Sequence, residues 1–540
     1  MASAYDKASL VMLPNAYKDG KVYSVKPEDR SGDFTFTRST AATRVNADGN
    51  IEKETGNLLT QSNSFNNWTN YLTTETSGQA DRSGGTSAWL LEKTGASGSI
   101  YRTPSTSGVS TFSAYVKAGT LNWVRLDFVG GGSKGYFDLQ NGVVGSVTGS
   151  PIDSAIEDYG NGWYRCSVTT TSTGSGVGII PAESDGSISG TSGNIYIQDA
   201  QLEQGLVARD YIETTTSAVY GGITDNVPRL DYTDSSCPAL LLEPLRTNLA
   251  TQSEYFESWP TISNCSFTSN YTISPEGLNN ASRLVFSSNG FTYSGGASQG
   301  GAIGTIYSIS CYAKRNDNNT QDIGFFTNGS GAINSSWALT TEWKRFEFTY
   351  ATTNNSLLGI AGNSGADVSV YGFQIERDSS YPTSYIPTYG SSVSRVNDDT
   401  IIANLQSKNI VGNTFSYYFE WGDYVANRNF EMKDSSSFNF LFMVNRLIRY
   451  IKQDGSVDSL FILPANGTSL KSLISYDGTT LKGYINGSLV GSVTNAKVDI
   501  FSDFDKLRLD RSMDDREELK QILLFPTALT DQEAIDLTTI

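Results

Sequence analysis

The chain is predicted to be all-β: two jelly-roll sandwiches in tandem, then a sandwich of a different kind, with very little helix. Three observations predict this. A twelve-residue phrase, Asn57-Leu-Leu-Thr-Gln-Ser-Asn-Ser-Phe-Asn-Asn-Trp68, returns as Asn248-Leu-Ala-Thr-Gln-Ser-Glu-Tyr-Phe-Glu-Ser-Trp259, with seven positions the same. Such self-similarity is the mark of a duplicated module. The 52 glycines, among many Ser, Thr, Asn, Tyr and Phe, suit short strands joined by turns. Apolar and polar residues alternate in segments such as Thr111-Phe-Ser-Ala-Tyr-Val-Lys117, the period of a half-buried strand.

Taken in order, residues 1–56 contain Lys21-Val-Tyr-Ser-Val25 and Asp33-Phe-Thr-Phe-Thr37. They hold too little apolar material for a core of their own. They are expected to form an arm packed on the first module or on a partner subunit. The first module spans 57–204, with strands expected at Ser87–Lys93, Ser110–Lys117, Asn122–Val129, Lys134–Leu139, Gly162–Thr170 and Asn194–Leu202. Strands of this number and spacing suggest a two-sheet jelly roll. A connector, 205–247, carries Pro228, Pro238 and Pro244, and its Leu240, Leu241, Leu242 and Leu245 imply docking rather than free motion.

The second module spans 248–376 and repeats the landmarks in order. Phe112-Ser-Ala-Tyr-Val-Lys117 answers to Ile309-Ser-Cys-Tyr-Ala-Lys314, and Gly162-Trp-Tyr-Arg165 to Glu342-Trp-Lys-Arg345. Gln201-Leu-Glu203 answers to Gln374-Ile-Glu376, and Tyr211-Ile212 to Tyr385-Ile386. A second connector covers 377–398, where Arg395-Val-Asn397 repeats Arg44-Val-Asn46. The last module, 399–540, is different. Asp477-Gly478 and Asn486-Gly487 are expected to supply the positive φ of two-residue hairpins. Thr530-Asp-Gln-Glu533 is a capping box that should open one short helix after a strand at Gln521–Phe525.

Composition excludes whole classes of function. A formal charge of −17 disfavours phosphate backbones and anionic lipid, so no nucleic-acid partner is expected. The absence of histidine removes Ser-His-Asp and Cys-His nucleophiles and HExxH zinc sites, though not carboxylate pairs. Cys166, Cys237, Cys265 and Cys311 are too scattered for a disulfide framework and are expected to be free, buried thiols. The first residues lack the apolar stretch of a signal peptide, and no run reaches membrane-spanning length, so membrane insertion is not expected.

Together, the Trp-bearing opening, the Ser-x-Tyr-x-Lys strand, the Gly-Trp-Tyr-Arg strand and the Gln-Leu-Glu close resemble the carbohydrate-binding-module jelly rolls of bacteriophage tail and fibre proteins. Asp33-Phe-Thr-Phe-Thr-Arg-Ser-Thr-Ala-Ala-Thr-Arg-Val-Asn46, Pro228-Arg-Leu-Asp-Tyr-Thr233 and Leu240–Leu249 are phrases typical of such virion proteins. Ser475-Tyr-Asp-Gly478, Tyr484-Ile-Asn-Gly487 and Phe525-Pro-Thr-Ala-Leu-Thr530 make the last module similar to concanavalin-A-like, laminin-G-type sandwiches. The resemblance implies a homotrimeric tail or head fibre, made in the host cytoplasm and displayed on the virion. It would attach to other virion proteins through the arm and adhere to host-surface glycans. The alternatives are a polysaccharide depolymerase and a purely structural virion connector or decoration protein.

Sugar rings present apolar C–H faces, so candidate glycan contacts are aromatic: Trp123 and Tyr136, with the carboxylates of Asp127 and Asp138 nearby. The competing role for Trp123 is packing. Trp163 and Trp343, like Trp68 and Trp259, hold matched places and are expected to pack. The family's structural calcium often takes an Asp from the last strand, which points to Asp199; Gly372 stands at that place in the second module. No other cofactor and no catalytic residue is expected. The mixed-sign run Asp510–Glu518 suits a solvated loop better than a glycosidase pair.

Overall fold

A computed structural model describes residues 4–104, 107–171, 174–259, 261–294, 303–317, 321–327, 332–352, 357–424, 430–434, 439–444, 447–451, 457–462, 469–494, 504–509 and 517–540. Most of the charged run 510–518 lies outside them. Every described sheet is antiparallel, and beyond two turns of 3-10 helix the described helices are Ala4–Lys7 and Asp531–Thr538.

The first jelly roll is two six-stranded sheets. One contains Ser110–Ala118 between Trp163–Thr170 and Gly193–Gln204; the other contains Trp123–Val129 between Lys134–Asp138 and Gly176–Ala182. Alternation packs Phe112, Ala114 and Val116 of one layer against Val124, Leu126 and Phe128 of the other, each at most 2% exposed. The predicted strands lie within two residues of these. Among the additional strands are Thr73–Gln79, Val143–Thr148, Asp153–Gly160 and Gly176–Ala182. The first three are polar or exposed, and the last carries Pro181, so neither composition nor period marked them.

The second jelly roll repeats the central strand order of the first but joins strands that are separate there. Where the first has separate strands Ala88–Lys93 and Ser99–Arg102, one in each sheet, the second has a single strand, Ala281–Tyr293, that pairs in one layer at Ser282–Val285 and in the other at Gly290–Tyr293. The repeated phrase has the same bonds in both modules. Asn57 Nδ2 donates to Ala200 O and Ile212 O at 3.0 and 2.9 Å, and its Oδ1 accepts from Leu59 N and Leu202 N, both at 3.1 Å. Asn248 does the same with Phe373 O, Ile386 O, Ala250 N and Ile375 N at 2.8–3.3 Å. The indole N–H of Trp68 donates to Gln61 O at 2.9 Å, and that of Trp259 to Gln252 O at 3.0 Å. Gln201 and Gln374 each accept from the N–H of the residue after the matched tyrosine, Ile212 and Ile386.

Asn57 and Asn248 are fully buried. Replacing either by Ala strands several backbone groups, and one buried group without a partner already costs about 1–3 kcal/mol. Asn57→Ala and Asn248→Ala are therefore expected to lower the stability of their own modules to a similar degree. Urea titration read by the tryptophan fluorescence of each variant checks this.

The terminal sandwich is larger than predicted, and this corrects the expected division of the chain. Leu10–Met12 pairs with Glu517–Phe525, in register Leu10 to Leu524. Ala239–Leu242 of the first connector pairs with the same strand at Leu519–Glu517. In the opposite sheet, Phe34–Thr37 pairs with Asp399–Ile402, which in turn pairs with Phe504–Leu509. Leu10, Met12, Val22, Phe34, Phe36, Leu230, Leu240 and Leu242 share one core with Tyr417, Phe419, Leu507 and Leu524. Residues 10–37 are thus not an attachment arm packed on the first module. They are strands of a host sandwich into which both jelly rolls are inserted. The physical reason is the one already evident: the segment's few apolar residues cannot make a core alone, so they complete another.

Residues 43–53 form a hairpin, Thr43–Val45 with Ile51–Lys53, that docks on the second jelly roll. Ile51 packs among Ala281, Tyr371 and Tyr385. The buried Lys53 ammonium reaches Glu254 at 2.7 Å and Glu276 at 3.0 Å. Burial opposes its charge, but these two carboxylates prevail and hold its pKa above the ordinary lysine value. The first module cannot take a lysine this way, because Asn63 stands where Glu254 does in the repeated phrase.

A second buried cluster joins the connectors. Arg38 meets Asp398 at 3.0 Å, Arg229 pairs with Asp398 and with Glu243 at 2.6 Å, and Arg395 meets Glu243 at 2.8 Å. All five side chains are at most 1% exposed. Arg38, Arg229 and Glu243 of this cluster come from the phrases 33–46, 228–233 and 240–249, and Arg395 and Asp398 from the second connector.

At the C-terminus the capping box forms as predicted, with Thr530 Oγ1 accepting from Glu533 N and Glu533 Oε2 from Thr530 N. Asn486-Gly487 is a two-residue hairpin turn with φ of 47° and 79°. Asp477-Gly478 is not. Tyr476 pairs with Leu481, and Asp477 Oδ1 accepts from Thr479 N and Thr480 N, so the carboxylate builds a longer turn. The four thiols are free; Cys166 and Cys311 are buried, while Cys237 is exposed, contrary to expectation.

Candidate functional site

The outer face of the first jelly roll's second sheet carries the predicted contacts. Because Val124, Leu126 and Phe128 point into the core, Trp123, Arg125 and Asp127 must point out. Asp138 lies opposite Trp123, Tyr136 opposite Arg125 and Lys134 opposite Asp127. All four predicted residues are therefore on one face, but they do not share one role.

Trp123 is part-exposed. Gly145 makes room for it: a Cβ there would lie 2.5 Å from Trp123 Cζ3 and 2.7 Å from Asp185 Oδ1. Asp185 is exposed beside the indole and accepts from Ser146 N at 2.7 Å and Ser146 Oγ at 2.9 Å. Asp127 accepts from Arg125 Nη2 at 2.7 Å. Burial pushes the Asp127 carboxyl up, with Arg125 opposing the shift.

Tyr136 and Asp138 are committed elsewhere. Tyr136 is 5% exposed, lies under the Arg125 guanidinium at 5.7 Å and accepts from it at 3.3 Å. Asp138 accepts from Gln140 N at 2.9 Å, Asn141 N at 3.1 Å and Asn141 Nδ2 at 2.7 Å. Burial works against its charge, yet these bonds keep its pKa below the usual carboxylate value. It holds a turn.

The accessible set is Trp123, the Arg125–Asp127 pair and Asp185. Arg125 was missed although its alternation with Trp123 marks it in the sequence. Asp185 lies in a loop, and no local pattern reveals it. An aromatic edge flanked by one cation and two carboxylates can pack against a sugar's C–H face and bond its hydroxyls.

Asp199 sits at a bulge with φ of 50°, and Gly372 takes the same place with φ of 63°. The backbone conformation, not a metal, accounts for glycine in the second module. Asp199 Oδ2 is bonded by Arg82 Nε at 3.2 Å and Nη2 at 3.1 Å. Calcium takes about six to eight oxygens, whereas a guanidinium occupies this carboxylate. Among the described residues no group of three or more metal-binding side chains forms. The residues do not fit the ion.

Trp68 and Trp259 pack in their module cores. Trp163 is buried, whereas Trp343 is part-exposed and donates to Ile273 O at 2.9 Å.

No family model and no curated protein matches this chain. Solved structures do. A carbohydrate-binding module of the Ruminococcus gnavus sialidase, bound to α2,3-sialyllactose, matches at 14% identity and a TM-score of 0.20, over 24% of this chain and 84% of that one. The binding domain of botulinum neurotoxin serotype C1 matches at 13% identity and a TM-score of 0.23, over 26% of this chain and 40% of that one. Domain 4 of a Geobacillus stearothermophilus arabinanase, with arabinotriose, matches at 16% and 0.21, over 28% and 77%. Likenesses this low carry no inference about function.

Proposed function

We propose that this chain is a bacteriophage adhesion protein, a homotrimeric tail or head fibre that holds host-surface glycans without cleaving them. The observation that carries the glycan reading is the outward face of the first jelly roll, where part-exposed Trp123 stands beside Asp185 and the Arg125–Asp127 pair. The virion reading rests on the connector phrases, and attachment to the particle falls to the host sandwich, since residues 10–37 are built into it. Three weak sites on one axis would bind a repetitive polysaccharide by avidity.

Capsular and lipopolysaccharide glycans of the host, arrayed against the purified protein, test this. Wild type is expected to bind at least one of them and to release no new reducing ends. Trp123→Ala is expected to weaken binding at least about tenfold, which is about 1.4 kcal/mol. Its melting temperature should move little, because the ring lies outside the core. Light scattering is expected to give the mass of three chains. New reducing ends that vanish on one Asp or Glu substitution would favour a depolymerase, and silence on every glycan a structural connector.

A further inference from the structure

The strand Val219–Gly221 of the first connector pairs with Thr55–Asn57 and sets Tyr220 opposite Gly56. A Cβ on Gly56 would lie 2.6 Å from Tyr220 Cδ1, so only glycine lets the ring rest on the backbone there. Tyr220 is nevertheless 51% exposed. It is an aromatic surface held in place by its backbone partner and turned to solvent, at a position where a core residue would be covered.

That ring lines a cavity of about 170 Å³ bounded by the segment around Gly56, the first connector and the second connector. Ala42 and Ile386 supply an apolar floor, both buried. Glu54 and Gln204 supply polar groups. Glu54 is exposed, and among the described residues it has no ion pair and no hydrogen bond. Among the described residues the Gln204 side-chain amide makes one long bond, 3.4 Å from Nε2 to Ser107 O.

We propose that this cavity is a second saccharide site, taking one pyranose ring of an uncharged sugar. The volume is well below the roughly 300–1,000 Å³ of sites for drug-sized ligands, which limits it to about one ring. An aromatic face with an apolar floor suits the C–H side of a pyranose, and a carboxylate and an amide suit its hydroxyls. The free Glu54 and the chain's net charge of −17 disfavour an acidic sugar. The site differs from the Trp123 face in position and in form. It is a pocket for a single residue rather than a face for a chain, and it exists only where the separate segments meet.

The full-length protein titrated with glucose, galactose, mannose and N-acetylglucosamine, followed by saturation-transfer NMR, tests the proposal. At least one is expected to bind saturably in the millimolar range. Tyr220→Ala should weaken that binding at least tenfold, and Gly56→Val, which forces the ring away, should do the same. Trp123→Ala should leave it unchanged. Tyr220→Ala is expected to keep the wild-type melting temperature, because half of the side chain is already in solvent. Absence of saturable binding by all four sugars overturns the proposal, as does equal binding by Tyr220→Ala. Binding lost in Trp123→Ala alone assigns the sugar to the sheet face; that outcome ends the second site and leaves the adhesive role standing.

Discussion

A chain lacking residues 1–37 is expected to lose cooperative unfolding of its terminal sandwich. The deletion removes Leu10, Met12, Val22, Phe34 and Phe36, each at most 1% exposed, from a core they share with the C-terminal strands. Burying one such side chain is worth about 1.5–3 kcal/mol, so the five together approach the whole stability of an ordinary domain. The deletion also bares part of one edge of Glu517–Phe525 and one edge of Asp399–Ile402, an invitation to aggregate. Differential scanning calorimetry of the truncated chain should show the terminal transition gone while transitions from the jelly rolls persist. Phe36→Ala is the milder form, with an expected loss of about 3–5 kcal/mol. A truncated chain that melts as wild type would return residues 1–37 to the role of an arm outside the sandwich core.

Arg229→Met is expected to be nearly as damaging, at about 3–5 kcal/mol, because it leaves Asp398 and Glu243 buried without their shared partner. Burial works against the charge on Arg229, but Asp398 and Glu243 hold its pKa above the ordinary arginine value. The cluster is stable as a set rather than pair by pair. Arg229→Lys should not rescue, since a single ammonium cannot reproduce the fork that reaches both carboxylates. Midpoints of urea unfolding at neutral pH measure the loss. The effect should spread across the molecule, because Arg38, Glu243 and Arg395 tie the N-terminal segment to both connectors. Unchanged midpoints would mean that the cluster is incidental to the packing of the modules.

The duplicated jelly rolls were legible because their signal is local and repeated: Asn57 and Asn248 satisfy the same four backbone groups, so the phrase around them could not drift independently. The strands with strong alternation were legible for the same reason. The host sandwich was not. Pairing Leu10 with Leu524 spans the whole chain, and no local period records which distant edge a short apolar strand will complete. The candidate site divides along the same line. Trp123 and Tyr136 share one outward face of the sheet, but alternation does not say that Arg125 covers Tyr136 or that Asp138 is used up by its own turn. Asp185 enters from a loop, and only the folded chain brings it to Trp123.

Hydrogen–deuterium exchange of the intact protein tests the inserted architecture most directly. Amides of Leu10–Met12 and Phe34–Thr37 should be protected to the same degree as those of Phe415–Tyr424 and Glu517–Phe525, and should open with them as denaturant rises. Early exchange of the N-terminal strands, with the C-terminal ones still closed, would contradict it.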